Sequence, residues 1–240
     1  MPVCRPALVL LLALASAAAA QTETLAYDGG WTERAAGEAL VALPDGYDAD
    51  PDRRWPLLVF LHGAGERGDD LERVAVHGPI KERRAGRDLP FVVVAPQVPP
   101  GSRWTVGRVL AATDDALARY RTDPDRVYLT GLSMGGFGTW EAIEAAPERF
   151  AAAVPVCGGG NRLGVEAARA VPVWAFHRAM DAVVPVGASV EMVRALRAAG
   201  GAVRFTVYPD AGHDAWTETY ADPAVYEWLL SHRLSDRAGR

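Results

Sequence analysis

Disulfide bonding is the first thing this sequence rules out. Its 240 residues include two cysteines, Cys4 and Cys157. Cys4 lies in an N-terminal stretch read below as a cleavable leader, so the processed chain keeps one thiol and no internal disulfide. Stability must then come from the core, and Cys157 reads as a small buried hydrophobe at a strand end. A large excess of charge of either sign is missing as well. The net charge is −5 and no basic stripe runs along any segment, which leaves no footprint for nucleic acid. No histidines or cysteines fall at metal-ligand spacing, so neither a metal nor another cofactor is expected. The apolar stretch at the N-terminus is too short to span a bilayer, and no stable membrane insertion is expected. Internal repeats and low-complexity linkers are missing too, which leaves one α/β domain over residues 21–240.

What is present begins with residues 1–20. Arg5 supplies a positive charge, residues 7–15 an apolar stretch, and residues 17–20 small side chains suited to cleavage before Gln21. That order is the pattern of a secretory signal peptide, and it predicts an exported protein, periplasmic or secreted. Cys4 precedes the apolar stretch, too early to carry a lipid.

The rest of the chain is organised around residues 126–140, Arg-Val-Tyr-Leu-Thr-Gly-Leu-Ser-Met-Gly-Gly-Phe-Gly-Thr-Trp. Residues 126–130 read as a buried strand and 137–146 as a helix, so the turn between them falls on Gly131, Leu132, Ser133, Met134 and Gly135. Gly-x-Ser-x-Gly in that setting holds a serine hydroxyl out of the sheet, with the first N–H groups of the helix aimed where an oxyanion would form. Further strands are expected at 38–44 (an early edge strand), 56–61, 91–95, 151–156, 171–177 and 202–208. Helices are expected at 106–120, with Thr113, Asp114 and Asp115 on the wet side, and at 187–199 and 222–233. Alternation of strands with helices predicts an α/β fold, a mostly parallel sheet flanked by helices. The short connection between the strands at 151–156 and 171–177 leaves no room for a large lid.

A serine hydroxyl becomes a useful nucleophile only beside a base that a third group orients. The chain supplies Ser133, then Asp181 after a later strand, then His213 after the last one, the order used by strand–serine–helix enzymes. His213 sits in a Gly-His loop with small neighbours, and Asp181 is followed by the rigid Val-Val-Pro. Asp210 and Asp214 are too close to His213 in sequence to reach behind its ring. The glycine-rich loop at residues 62–68 lacks the Gly-Lys-Ser/Thr ending of a phosphate-binding loop. It reads instead as half of an oxyanion hole, pairing the backbone N–H of Ala64 with that of Met134, and His62 reads as the residue that orients this loop. Trp104 and Trp216 are the candidate substrate-binding residues at the edge of an open cleft.

Together, His62-Gly-Ala-Gly-Glu-Arg-Gly68, the Gly131–Trp140 elbow, Asp181-Ala-Val-Val-Pro185 and Gly212-His-Asp-Ala-Trp216 resemble the α/β-hydrolase superfamily. Within it the likeness is to the secreted carboxylesterase, feruloyl-esterase and polyhydroxybutyrate-depolymerase-like group, also labelled predicted peptidases or phospholipase/carboxylesterases. The resemblance covers residues 57–220. It implies an α/β-hydrolase fold and a cofactor-independent esterase that works through an acyl-enzyme, with Ser133 as nucleophile, His213 as base then acid, and Asp181 as orienter. Relatives carry His-Gly at the end of the acid-bearing strand, whereas this chain has His177-Arg178. Arg178 is therefore expected either to reshape the acid loop or to meet a substrate anion. Acyl transfer and peptide cleavage can use the same three residues, and an inactive binding module would have lost one of them. Without a lid, the expected substrates are short-chain or flat aromatic acyl esters, small or pendant on a polysaccharide.

Overall fold

The computed structural model describes residues 22–29 and 35–237; the expected leader at residues 1–20 lies outside the described residues. Among the described residues eight strands form one sheet: β1 (Thr22–Gly29), β2 (Ala35–Ala42), β3 (Trp55–Leu61), β4 (Val92–Pro96), β5 (Thr122–Leu132), β6 (Ala152–Val156), β7 (Val173–Met180) and β8 (Val203–Ala211). Their spatial order is β1-β2-β4-β3-β5-β6-β7-β8. From β4 to β8 every pairing is parallel, and the antiparallel β1–β2 and β2–β4 pairs extend that body at one side. The described residues also form six α-helices that pack around it: α1 (Gly78–Arg84), α2 (Val106–Arg119), α3 (Met134–Ala145), α4 (Gly187–Ala198), α5 (Trp216–Ala221) and α6 (Pro223–Leu230).

The continuous apolar run of β3 follows from burial on both faces, and all seven of its residues are buried. Successive side chains of a strand point to opposite faces. Leu57, Val59 and Leu61 accordingly join a core with Val109, Leu110, Trp140, Ile143 and Leu196 from α2, α3 and α4. Leu58 and Phe60 join the other core with Ile80, Tyr220, Val225 and Leu229 from α1, α5 and α6. A parallel sheet covered on both sides needs apolar strands rather than alternating ones, which is why the central strands were legible.

Three expectations are corrected. The strand expected at 38–44 as an edge is flanked on both sides, and the edge is β1, whose Leu25 is buried under the sheet. Thr113, expected on the wet side of its helix, is fully buried, and its hydroxyl donates to the Val109 carbonyl at 2.7 Å. That internal bond removes the cost of burying the hydroxyl. The expected C-terminal helix at 222–233 is α6, which stops at Leu230 and is preceded by the separate short helix α5. Pro223 starts α6, where its missing N–H costs nothing, and the Asp222 side chain caps the Ala224 N–H at 2.9 Å. Helix α1, for which the sequence carries no clear periodicity, begins at Gly78, whose φ of 76° and closeness to the Phe60 ring both demand glycine.

Candidate active site

Strand β5 runs directly into α3 through Ser133, whose φ of 52° and ψ of −116° are strained for a residue with a side chain. The strain is held in place by its surroundings. The Ser133 N–H donates to the Val156 carbonyl on the neighbouring strand, and the Ser133 carbonyl accepts from Phe137. A Cβ on Gly135 would sit 1.9 Å from the Leu61 carbonyl oxygen, and one on Gly131 would sit 2.4 Å from the Gly135 oxygen. The glycines therefore let the elbow lie against β3 as well as turn tightly.

The sheet topology brings two distant residues to Ser133. Asp181 follows the end of β7 and His213 follows the end of β8, so both lie at the C-terminal edge of the sheet, where α/β sheets place their ligand sites. The Ser133 hydroxyl is 2.8 Å from His213 Nε2, and His213 Nδ1 is 2.6 Å from Asp181 Oδ2. Asp181 Oδ1 accepts from the N–H groups of Val183 and Val184 at 2.8 and 2.9 Å. Burial alone would raise the Asp181 carboxyl. Its bonds from His213, Val184 and Val183 outweigh that and hold it below the usual carboxylate range. With Asp181 charged, Nδ1 is the donor and Nε2 is left free to accept a proton from serine.

The acid loop has a support that sequence reasoning left unassigned. His177 is fully buried, with Nε2 2.8 Å from the Val184 carbonyl and 3.4 Å from Asp181 Oδ2. Its Nδ1 is 2.7 Å from the Ser189 hydroxyl, which also reaches the Gly158 carbonyl. Burial lowers its pKa and keeps the ring neutral, so it can fix the loop without competing for the proton. A histidine at the end of a buried strand was the one available signal.

Ala64 opens a short 3-10 turn, Ala64–Glu66, just past β3, and is solvent-exposed. Met134 opens α3, so the two proposed backbone donors come from adjacent central strands. The 62–70 loop is pinned from behind. His62 Nε2 accepts from the Val98 N–H at 3.1 Å, so its other nitrogen is the donor to the Gly63 carbonyl at 2.6 Å. Burial drives the His62 pKa down to about 4, which keeps that neutral form at physiological pH. Gln97, unremarked in the sequence, donates to the carbonyls of Glu66 and Asp70 at 2.7 and 2.9 Å.

The two tryptophans are separated. Trp104 is 2% exposed, donates to the His62 carbonyl at 2.9 Å, and lines a cleft of about 350 Å³ with Ser133, Met134, Phe137 and Gly138. Trp216 instead packs edge-on against His213, ring centroids 5.2 Å apart. A roomier hollow of about 420 Å³, beside Arg169, Gly200 and Arg237, contains none of these groups and opens at the N-terminal ends of β7 and β8. Among the described residues one set of side chains has the spacing of metal ligands: Cys157, Asp181 and His213 offer donor atoms within 4.8 Å of one another. Burial pushes the Cys157 thiol up to about 12, and the other two already share a 2.6 Å bond, so this donor set suits a proton better than a cation. Chemically, the site can transfer a proton from a hydroxyl to an oriented imidazole, beside a helix N-terminus able to hold negative charge.

Comparison with known proteins agrees with this architecture. A crystal structure of a thermostable esterase superposes with a TM-score of 0.74 at 36% identity, over 88% of this chain and 63% of that one. The bifunctional acetylxylan esterase/xylanase of Neocallimastix patriciarum is 33% identical over 137 residues, 54% of this chain and 20% of that protein. Poly(3-hydroxyalkanoate) depolymerase C of Paucimonas lemoignei is 31% identical over 134 residues, 49% of this chain and 30% of that protein. The alignments thus span less than a third of either curated relative. A putative dienelactone hydrolase from Klebsiella pneumoniae has the same fold, with a TM-score of 0.56 at 20% identity over 88% of this chain and 96% of that one. Residues 100–227 match the dienelactone hydrolase family, a stretch that runs from the loop before α2 into α6 and includes Ser133, Asp181 and His213. With an eight-stranded α/β-hydrolase sheet around that stretch, the chain belongs to the dienelactone hydrolase family.

Proposed function

We propose that this protein is a serine ester hydrolase that works through an acyl-enzyme on short-chain or aromatic acyl esters. The observation that carries the reading is the unbroken relay from Ser133 through His213 to Asp181, with contacts of 2.8 and 2.6 Å. The esterase names of several relatives support it.

The chemistry follows from the geometry. Ser133 Oγ attacks the ester carbonyl while its proton passes to His213 Nε2, and Asp181 stabilises the imidazolium. The N–H groups of Met134 and Ala64 hold the oxyanion. Collapse of the tetrahedral intermediate breaks the bond to the alcohol oxygen, which takes the proton from His213. Water then attacks the acyl-serine by the same route in reverse. The cleft beside Trp104, Met134 and Phe137 receives the acyl group. At about 350 Å³ it suits acetyl-to-butyryl or hydroxycinnamoyl groups. Each further methylene gains only about 0.8 kcal/mol where it is buried, and a long chain would lie largely in water.

Among the described residues no helix is long and apolar enough to cross a membrane. The N-terminal leader pattern supports export, which would bring the enzyme to esters outside the cytoplasm. The test compares p-nitrophenyl butyrate, methyl ferulate and an emulsified long-chain triglyceride. Turnover of either of the first two, without a rate jump at an oil–water interface, is expected. Preference for the emulsion contradicts the reading.

A further inference from the structure

Behind the catalytic acid runs a chain of polar contacts that holds one hydrogen too few. His177 Nε2 is 2.8 Å from the Val184 carbonyl, its Nδ1 is 2.7 Å from Ser189 Oγ, and Ser189 Oγ is 2.7 Å from the Gly158 carbonyl. Each of these three contacts is short enough to need a hydrogen between its heavy atoms. Both ends of the chain are carbonyls, which only accept. A neutral imidazole brings one N–H and the serine one O–H, so one contact is always left with two lone pairs facing each other. An imidazolium brings two N–H groups, and then every contact is filled.

The same ring reaches the acid. His177 Nε2 is 3.4 Å from Asp181 Oδ2, the oxygen that His213 Nδ1 meets at 2.6 Å. The side chains of His177 and Asp181 are both wholly buried, so a charge on His177 acts on Asp181 with little screening. Asp181 and His213 are the ionisable groups that face His177. Ser189 on α4 and Val207, the register partner of His177 on β8, carry no ionisable group. Cys157, just past β6, keeps its thiol proton up to about 12.

Resting on the ester hydrolase reading, we infer that His177 is a positioning residue for Asp181 that serves only while neutral, and that a proton taken up on acidification turns it from a support into a competitor of His213. As an imidazolium it donates from both nitrogens, one toward Ser189 and the other toward the Val184 carbonyl and Asp181 Oδ2. Asp181 then shares its charge between two rings, and the His213 imidazolium that forms in the transition state loses part of its stabilisation. Two imidazoliums on one carboxylate oxygen also repel each other. Of the three groups His213 is the one open to solvent, with 16% of its side chain exposed, and the proton enters there. Burial opposes the added charge and lowers the His177 pKa, while Val184 and Asp181 raise it, so the change lies on the acid side of the ordinary histidine value of 6.5.

The direct test follows the histidine rings by NMR in the substrate-free protein, from pH about 8 to about 4. The His177 signal is the one lost in His177→Gln; should that variant not fold, the signal is assigned through its contact with the Ser189 protons. It should pass from the neutral to the imidazolium position within that range. In Ser189→Ala the Nδ1–H has no acceptor, and the midpoint should fall by roughly one pH unit. A signal that stays neutral throughout, or a midpoint unmoved in Ser189→Ala, overturns the inference. Activity on p-nitrophenyl butyrate tests the link to catalysis. A single titrating base gives log kcat/KM an acid limb of slope about one, whereas two protons that must both leave bring it towards two. Wild type should show the steeper limb and His177→Gln a slope near one, while a merely structural role would lower the curve of the variant without changing its shape. A wild-type slope of one overturns the link. If no ester is turned over at any pH, the ester hydrolase reading has failed, and the NMR titration still decides the proton count at His177.

Discussion

Arg178 donates through Nε to the backbone carbonyl of Asp214, the residue after His213, at 2.6 Å. Its two terminal nitrogens reach Asp210 Oδ2 and Glu218 Oε2, each at 3.2 Å. One planar guanidinium thus ties the end of β7, which carries the acid, to both flanks of the loop that carries the base. These contacts tie Arg178 to the base loop and its flanks, and not to the acid loop that the sequence-based expectation named. Its planar fork fits three partners at fixed angles, which an ammonium cannot match.

Loosening that clamp should act on His213 rather than on substrate binding. A misplacement of about 1 Å can cost on the order of 100-fold in rate. Arg178→Ala is expected to lower kcat by roughly 10- to 100-fold with KM changed less than threefold, and Arg178→Lys should recover only a minor part. A rise in KM for anionic esters alone, with kcat intact, would return Arg178 to substrate contact.

Asp181→Asn tests the orienting bond. The backbone donors Val183 and Val184 would keep the side-chain oxygen where Oδ1 is now, turning the amide NH2 toward His213. The imidazole would then carry its proton on Nε2, where it cannot accept from serine. A loss of kcat on the order of 10⁴ is expected, as in the worked serine-triad case. The sign for stability follows from the lowered carboxyl. Its contribution is present at neutral pH and lost as pH falls through the folded-state value. The melting temperatures of wild type and Asp181→Asn should therefore converge in strong acid, and a constant gap down to the lowest accessible pH would contradict this.

Glu144 gives the opposite sign. Its Oε1 is buried without a partner among the described residues, and burial, with Glu141 nearby, raises its pKa to about 7. The folded state holds this proton after the unfolded state has released it, so stability should fall as pH rises from roughly 4.5 towards 7. Glu144→Gln should remove that fall, melting higher than wild type at pH about 8 and close to it at pH about 5. Parallel melting curves across that range would place the ionisation elsewhere.

The elbow glycines can be separated by substitution. Gly135→Ala puts a Cβ into the Leu61 backbone, which cannot retreat without moving β3. A loss of about 3 kcal/mol or more in chemical denaturation is expected. Gly65→Ala meets nothing within 4 Å and should change stability by less than about 0.5 kcal/mol. Equal effects would mean that glycine is needed for turn flexibility and not for close packing.

Local signals made most of this fold legible. Strands β3 to β7 announce themselves by apolar runs because their cores are buried on two faces, the half-exposed edge strand β8 by polar and apolar residues in turn, and the Gly-x-Ser-x-Gly turn is set by neighbouring residues. What escaped depends on partners remote in sequence. Strand β1, Thr-Glu-Thr-Leu-Ala-Tyr-Asp-Gly, has few apolar residues and exists through its pairing with β2. Helix α1 is only seven residues long and carries three basic ones, so periodicity had little to register. The approach of Ser133, Asp181 and His213 could be expected from motif order. The supports supplied by His177, Gln97 and Arg178 arise from contacts between elements and leave no local pattern.

The most direct test of the central claim is intact mass and peptide mapping after reaction with a fluorophosphonate, alongside esterase assays. The account predicts one adduct, located on Ser133, with activity lost in proportion to labelling and both abolished in Ser133→Ala. An adduct on another residue, or ester turnover that survives Ser133→Ala, would contradict it.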